Sequence, residues 1–243
     1  LALSGNAFIF QFTDYRSLLL IGGAGGVTYL LYMDELHQQG VVQEKGILGK
    51  AQLPISNVGI YLFNLPVFQI GTYTVARIIE NEKLIQFSMD VLSTMLVADI
   101  ETGLIRHIPI HRRPHYVREG SSANESNNFY GKVQGPSCFP SGHMIGLSAV
   151  MFESWEYYGW EIGLPATLAT ALLAWSRVED GSHYITDVVG AIMLTGIVSF
   201  ATSKQNNYLK NLKSYLRTED GGYITILPIV GPDIYAVSVS RTF

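Results

Sequence analysis

The sequence predicts an all-α protein, a bundle of about six core helices with a short C-terminal β-hairpin. Three observations carry that reading. Long apolar stretches rich in helix formers recur along the chain, each bounded by Gly, Pro, Ser or Asn. Hydrophobic residues make up 48% of the 243 and charged residues only 15%. The usual charged share is roughly 25%, so core-forming material is ample and intrinsic disorder is excluded. Cys138 is the single cysteine, which excludes a disulfide scaffold and a thiolate zinc site. The formal net charge of -4 speaks against a basic face that grips nucleic acid.

The candidate helices span 17–33, 56–80, 83–106, 142–160, 163–177 and 184–203. The first is uncharged and carries the run Gly22-Gly23-Ala24-Gly25-Gly26. The uncharged stretch around the second contains Pro54 and Pro66 and the polar Asn57, Asn64 and Gln69. The third holds Asp90, Asp99 and Glu101, which are costly in lipid. Ile162 to Ser176 and Val188 to Ser203 are uncharged but shorter than the about 20 residues a spanning helix needs. Two readings therefore stay open, a soluble all-helical core and an integral membrane bundle, with the soluble core weighing more. A chain that begins at Leu1 reads as processed or trimmed, with any signal peptide out of sight.

One polar segment, His107 to Pro140, interrupts the helices. Its turn-rich run from Gly120 to Asn128 has almost no aliphatic residues, and a loop of that length is usually functional or disordered. Asn124-Glu125-Ser126 matches a glycosylation sequon by pattern alone. After Ser203 the character changes: Lys204, Lys210, Lys213 and Arg217 make a basic helix or linker. Tyr223 to Val230 and Ile234 to Ser240 then flank Gly231-Pro232-Asp233 as a hairpin. The expected organisation is a helical domain over 1–203 and a basic segment with its hairpin over 204–243.

Three clusters at helix edges carry chemistry. They are Arg106 with Arg113-Pro114; Pro140-Ser141-Gly142-His143; and Ser176-Arg177 with His183 and Asp187. A helix N-terminus offers unpartnered N–H groups and partial positive charge to an anion, so Ser141 and Gly142 suit a phosphate. Glycine also permits close backbone approach. Arginine presents a permanently charged planar fork that matches phosphate oxygens. His183 and Asp187 are four residues apart, which on a helix puts both on one face. The carboxylate can then hold one ring nitrogen and leave the other as a nucleophile. His143 adds a second imidazole for proton transfer. Each cluster alone is weak: Ser-Gly-His is usually a helix start, and a spaced His–Asp pair is usually a surface pair. Their joint occurrence in this order is far more specific.

These residues, from Arg106 to Asp187, resemble the three-part signature of the type 2 phosphatidic acid phosphatase superfamily. That family includes acid phosphatases, lipid phosphate phosphatases and vanadium haloperoxidases. The second and third parts match in full; in the first, Arg106 stands where the family has Lys, keeping the charge but replacing an ammonium with a fork. The resemblance implies a metal-independent phosphomonoesterase. In it His183 takes the phosphoryl group, Asp187 orients it, and His143 is acid and then base. Arg106, Arg113, Ser141, Gly142 and Arg177 would cradle the phosphate. His111, Arg112 and His115 are expected at the substrate entrance; Pro109 and Pro114 interrupt the helix that a metal face of His107, His111 and His115 would need. No resident cofactor or metal is expected, vanadate would bind as a phosphate analogue, and the partner is a phosphomonoester, with a lipid phosphate or diphosphate included. The expected location is extracytoplasmic (periplasmic), soluble or membrane-associated. Competing readings are a vanadate-dependent haloperoxidase on the same scaffold and a non-enzymatic helical binding protein.

Overall fold

The computed structural model describes residues 11–12, 15–37, 48, 51–64, 66–108, 137–215, 223–231 and 234–242. They form two compact units, Leu1–Thr202 and Ser203–Phe243. Seven α-helices occur among the described residues: α1 (Tyr15–His37), α2 (Gln52–Val58), α3 (Val67–Ile78), α4 (Glu82–Ile105), α5 (Ile145–Tyr158), α6 (Trp160–Glu179) and α7 (Ile185–Tyr215).

Local chemistry explains most boundaries. Asn81 caps α4, its side-chain oxygen accepting the Leu84 N–H at 3.0 Å, and Glu82 places negative charge in the first turn. Gly159, at φ +62°, separates α5 from α6 in a conformation that side chains disfavour. The sixth helix therefore starts at Trp160 rather than at 163, and Pro165 lies inside it. The expected single helix over 56–80 is broken. Chain from Gly59 to Asn64 winds as a π-helix, and Pro66, which lacks an N–H, sits at the start of α3. The last helix was expected over 184–203. It begins at Ile185 and continues through the basic stretch to Tyr215.

The helix α5 is central to the first unit. Its Ile145, Ala149 and Val150 pack with Phe87, Val91, Met95 and Ala98 of α4 and Val198 of α7. Its Leu147, with Met144 just before it, meets Leu173 of α6 and Val188 and Ala191 of α7. Polar groups are also inside. The fully buried Glu153 of α5 accepts hydrogen bonds from Thr94 of α4 at 2.9 Å and Ser199 of α7 at 2.7 Å, so three helices share one carboxylate. The outer faces are apolar. On α6 the exposed residues include Trp160, Ile162, Leu164, Leu168, Leu172 and Trp175, whereas Thr170, Ser176 and Arg177 are buried.

The second unit contains the paired strands β1 (Tyr223–Gly231) and β2 (Ile234–Thr242). They run antiparallel, with Tyr223 opposite Thr242 and Gly231 opposite Ile234.

Candidate active site

Four of the first unit's elements end at one place: the N-termini of α5 and α7 and the C-termini of α4 and α6. The start of α7 brings His183 and Asp187 together, though not as two residues on one helix face. His183 lies ahead of the helix and Asp187 is in its first turn. The Asp187 Oδ2 accepts the Tyr184 N–H at 3.0 Å, the reach of a third helical residue back to the position before the helix. The same oxygen is 3.2 Å from His183 Nδ1. With Nδ1–H given to the carboxylate, His183 Nε2 keeps its lone pair, a tautomer inferred from this network. Both residues are buried, His183 at 1% exposure and Asp187 at 0%.

Opposite lies the start of α5. Ser141 is extended (φ -73°, ψ 106°), and Gly142–Met144 form a 3-10 turn that leads into the helix. The Ser141 N–H donates to the Asp187 carbonyl at 2.9 Å, so the two helix starts are joined directly. Phe139, which precedes the cis peptide to Pro140, lies on α7 where a Cβ at Gly190 would come within 2.5 Å of its ring. His143, in the 3-10 turn, places Nδ1 3.5 Å from His183 Nε2. The Ser141 side chain is buried and its Oγ has no hydrogen-bond partner among the described residues.

Two arginines stand at the neighbouring helix ends. Arg106, at the C-terminus of α4, donates from Nε to the Pro140 carbonyl at 3.0 Å, and a Cβ at Gly142 would lie 3.0 Å from its Nη2. That close approach is open only to glycine without displacement of the arginine. Arg177, in the last turn of α6, donates from Nη1 to Asp180 at 2.9 Å and to the Ser56 hydroxyl, and its carbonyl accepts the His183 N–H at 3.1 Å. The structure thus brings together His143, His183, Asp187, Ser141, Gly142, Arg106 and Arg177. Arg113, His111, Arg112 and His115 lie outside the described residues. Among the described residues no group of three or more His, Cys, Asp or Glu could hold a metal ion.

Three neighbours were not singled out from the sequence. Asp180 is three residues from Arg177, a spacing that marks helical ion pairs and could have exposed it. Ser56 and Asn64 come from the α2 region, far away in sequence, and nothing local marks them. The Asn64 side chain donates to the Gly142 carbonyl at 2.9 Å and accepts the Gly146 N–H at 3.1 Å.

The arrangement can hold a tetrahedral oxyanion. It offers an open helix start, a hydroxyl without a partner among the described residues and two fixed cations beside an oriented imidazole. Comparison with known proteins agrees with that chemistry. The model of the PAP2 superfamily matches residues 87–211, just over half of the chain, and the chain belongs to that superfamily. It is an enzyme of the phosphatase type. The match stops before β1, so it says nothing of the two strands. A Bacillus subtilis crystal structure, described as the first transmembrane PAP2-type phosphatidylglycerolphosphate phosphatase, superimposes with a TM-score of 0.54 at 16% identity. The superposition covers 79% of this chain and 94% of that one. At that identity the likeness establishes the fold. No curated protein sequence matches the chain.

Proposed function

We propose that the protein is a membrane-embedded phosphatase of lipid phosphates, diphosphates included, that works through a phosphohistidine. The observation that carries the mechanism is the contact chain Asp187–His183–His143, with His183 Nε2 directed at the second imidazole. The substrate phosphate lies between Arg106, Arg177, Ser141 and the Gly142 N–H, and the resemblance assigns Arg113 to the same task. His183 Nε2 attacks phosphorus, the N–P bond forms, and the bond to the leaving oxygen breaks as His143 gives that oxygen its proton. Water then attacks the phosphohistidine while His143 takes a proton from it. The N–P bond breaks and inorganic phosphate departs. A separation of 3.5 Å between the two ring nitrogens leaves no room for a phosphoryl group, so His143 turns aside when substrate enters. No metal or resident cofactor takes part, and vanadate binds as an analogue of the transition state.

Support for a lipid substrate comes from the outside of the bundle and from a cleft beside the cradle. Large apolar side chains face outward on α1, α3 and α6, including Leu19, Ile70, Ile78 and Leu168, while Thr94, Glu153 and Thr170 are interior. That inversion suits a lipid surrounding better than water. It reverses the weighting toward a soluble core that composition alone suggested. Within α7, Ile185–Ser203 is long and apolar enough to cross a bilayer. A cleft of about 560 Å³ is lined by Ile21, Ala24, Leu104, Met193 and Leu194, and it reaches Ile105, Pro140 and Thr186, the neighbours of Arg106, Ser141 and Asp187. A hydrocarbon tail in this cleft leaves its phosphate at the cradle. The helical domain over 1–203 carries this chemistry, and the site faces the extracytoplasmic side as the resemblance implies.

The test is phosphate release by purified protein in detergent micelles, over paired lipid and short-chain phosphoesters with the same headgroup. The lipid member of each pair should be the better substrate by kcat/KM, and His183→Ala should release nothing. Equal values across the pairs would remove the lipid assignment.

A further inference from the structure

Residues 52–64 lie before the family match, which begins at residue 87, yet they touch the site twice. Asn64 closes the π-helical segment Gly59–Asn64. Its amide reaches both ends of one turn at the start of α5, donating to the Gly142 carbonyl and accepting the Gly146 N–H. In a regular α-helix those two groups bond to each other. Here the Gly142 carbonyl also takes the Ile145 N–H in a 3-10 bond, and the Gly146 N–H goes to Asn64. A side chain set into the hydrogen-bond ladder in this way bends a helix at a fixed place. The turn so held is the one that carries Gly142 and His143.

The segment that holds Asn64 is itself fixed. A Cβ at Gly146 would lie 2.1 Å from the Phe63 carbonyl oxygen, and one at Gly59 would lie 2.4 Å from the Leu173 side chain, so α2 and its π extension press against α5 and α6. The Phe63 carbonyl accepts from the buried Gln69 side chain across Pro66 at 3.1 Å. On the same segment Ser56 accepts from Arg177, the cradle residue of α6.

We propose that residues 52–64 are a positioning element of the active site, in which the Asn64 amide wedges open the first turn of α5 and thereby aims Gly142 and His143. Without the amide, the Gly146 N–H is free to turn to the Gly142 carbonyl. The turn then tightens into regular helix, and the Gly142 N–H and the His143 ring rotate away from the phosphate. Ser56 plays the corresponding part for Arg177, with Asp180 as that arginine's second support. The proposal rests on the reading of this site as a phosphate cradle.

The experiment compares wild type with Asn64→Ala, Asn64→Asp and Ser56→Ala in detergent micelles. Orthovanadate affinity is read from thermal protection, and kcat and KM from one hydrolysed phosphoester. Asn64→Asp keeps the acceptor for Gly146 but sets a second acceptor oxygen against the Gly142 carbonyl, which repels it and pushes the turn off its aim. Both Asn64 variants should lower kcat by about ten- to a hundredfold, the effect of a displacement of about 1 Å in reacting groups. Vanadate affinity should fall about tenfold in both, while the unfolding midpoint without vanadate stays close to that of wild type. Folded variants with kcat and vanadate affinity within about twofold of wild type would overturn the proposal. So would losses that merely follow a lowered midpoint. If neither Asn64 variant folds, Ser56→Ala decides, with a several-fold weaker vanadate affinity expected and an unchanged one overturning the proposal. Wild type that binds vanadate but releases phosphate from no ester would sink the proposed reaction, while the affinity measurements would still test the wedge.

Discussion

The two helices that meet at the site begin in opposite ways. The start of α7 is closed on itself, because Asp187 reaches back to the Tyr184 N–H and holds His183 with the same oxygen. The start of α5 is open. Neither Ser141 nor Met144 caps it with a side chain, and the buried Ser141 hydroxyl has no partner among the described residues. A closed start is set before any ligand arrives, whereas an open one retains donors that an anion can satisfy. On this account α7 supplies a preset nucleophile and α5 supplies the anion site, and the bond from the Ser141 N–H to the Asp187 carbonyl keeps the two in register.

Substitutions on the closed side should have the largest effects. His183→Ala removes the proposed nucleophile and should cost several powers of ten in turnover. Retention of more than about 1% of wild-type activity would break the comparison at its root. Asp187→Asn should come next. The amide no longer favours the Nδ1–H tautomer, and the same change in the Ser-His-Asp triad costs about four powers of ten. It also weakens the α7 cap, so the unfolding midpoint should fall as well. An Asp187→Asn variant with near-normal kcat would show that Asp187 serves the helix alone.

The open side should respond more gently and with a different signature. Ser141→Ala removes a buried hydroxyl that no described residue bonds, so the midpoint without vanadate should stay level or rise. Vanadate protection should weaken by about tenfold in affinity, the worth of one hydrogen bond to a charged group. A lowered ligand-free midpoint with unchanged vanadate affinity would mean that Ser141 has a structural partner instead.

Much of this was legible in the sequence, for reasons that differ by region. The long helices are bounded by residues whose local chemistry is decisive. Asn81 before α4 and Gly159 between α5 and α6 mark ends that pattern reading found to within a few residues. The contact of His183 with Asp187 was legible from a four-residue spacing, although its true geometry is a helix entrance, which that spacing also permits. The broken α2–α3 region was not, because apolar periodicity runs on across Pro66 while the backbone changes to a π-helix before it. Ser56 and Asn64 were beyond reach for a related reason. Their partners are 121 and 78 residues away, and only packed helices bring them together. The outward apolar faces were also invisible to composition, which counts apolar residues without saying which side they occupy.

The central claim is that the closed start of α7 presents His183 as the group that receives phosphate. Its most direct test is rapid acid-free quenching of the enzyme with a nitrophenyl phosphate, followed by mass spectrometry of the peptides. His143→Ala should be included, because a nitrophenolate leaves almost without a proton whereas breakdown of the intermediate still needs a base. The account predicts one phosphoryl group on His183, acid-labile, more abundant in His143→Ala than in wild type and absent in His183→Ala. A burst of nitrophenol with the phosphoryl group on another residue, or with none on the protein, would contradict it.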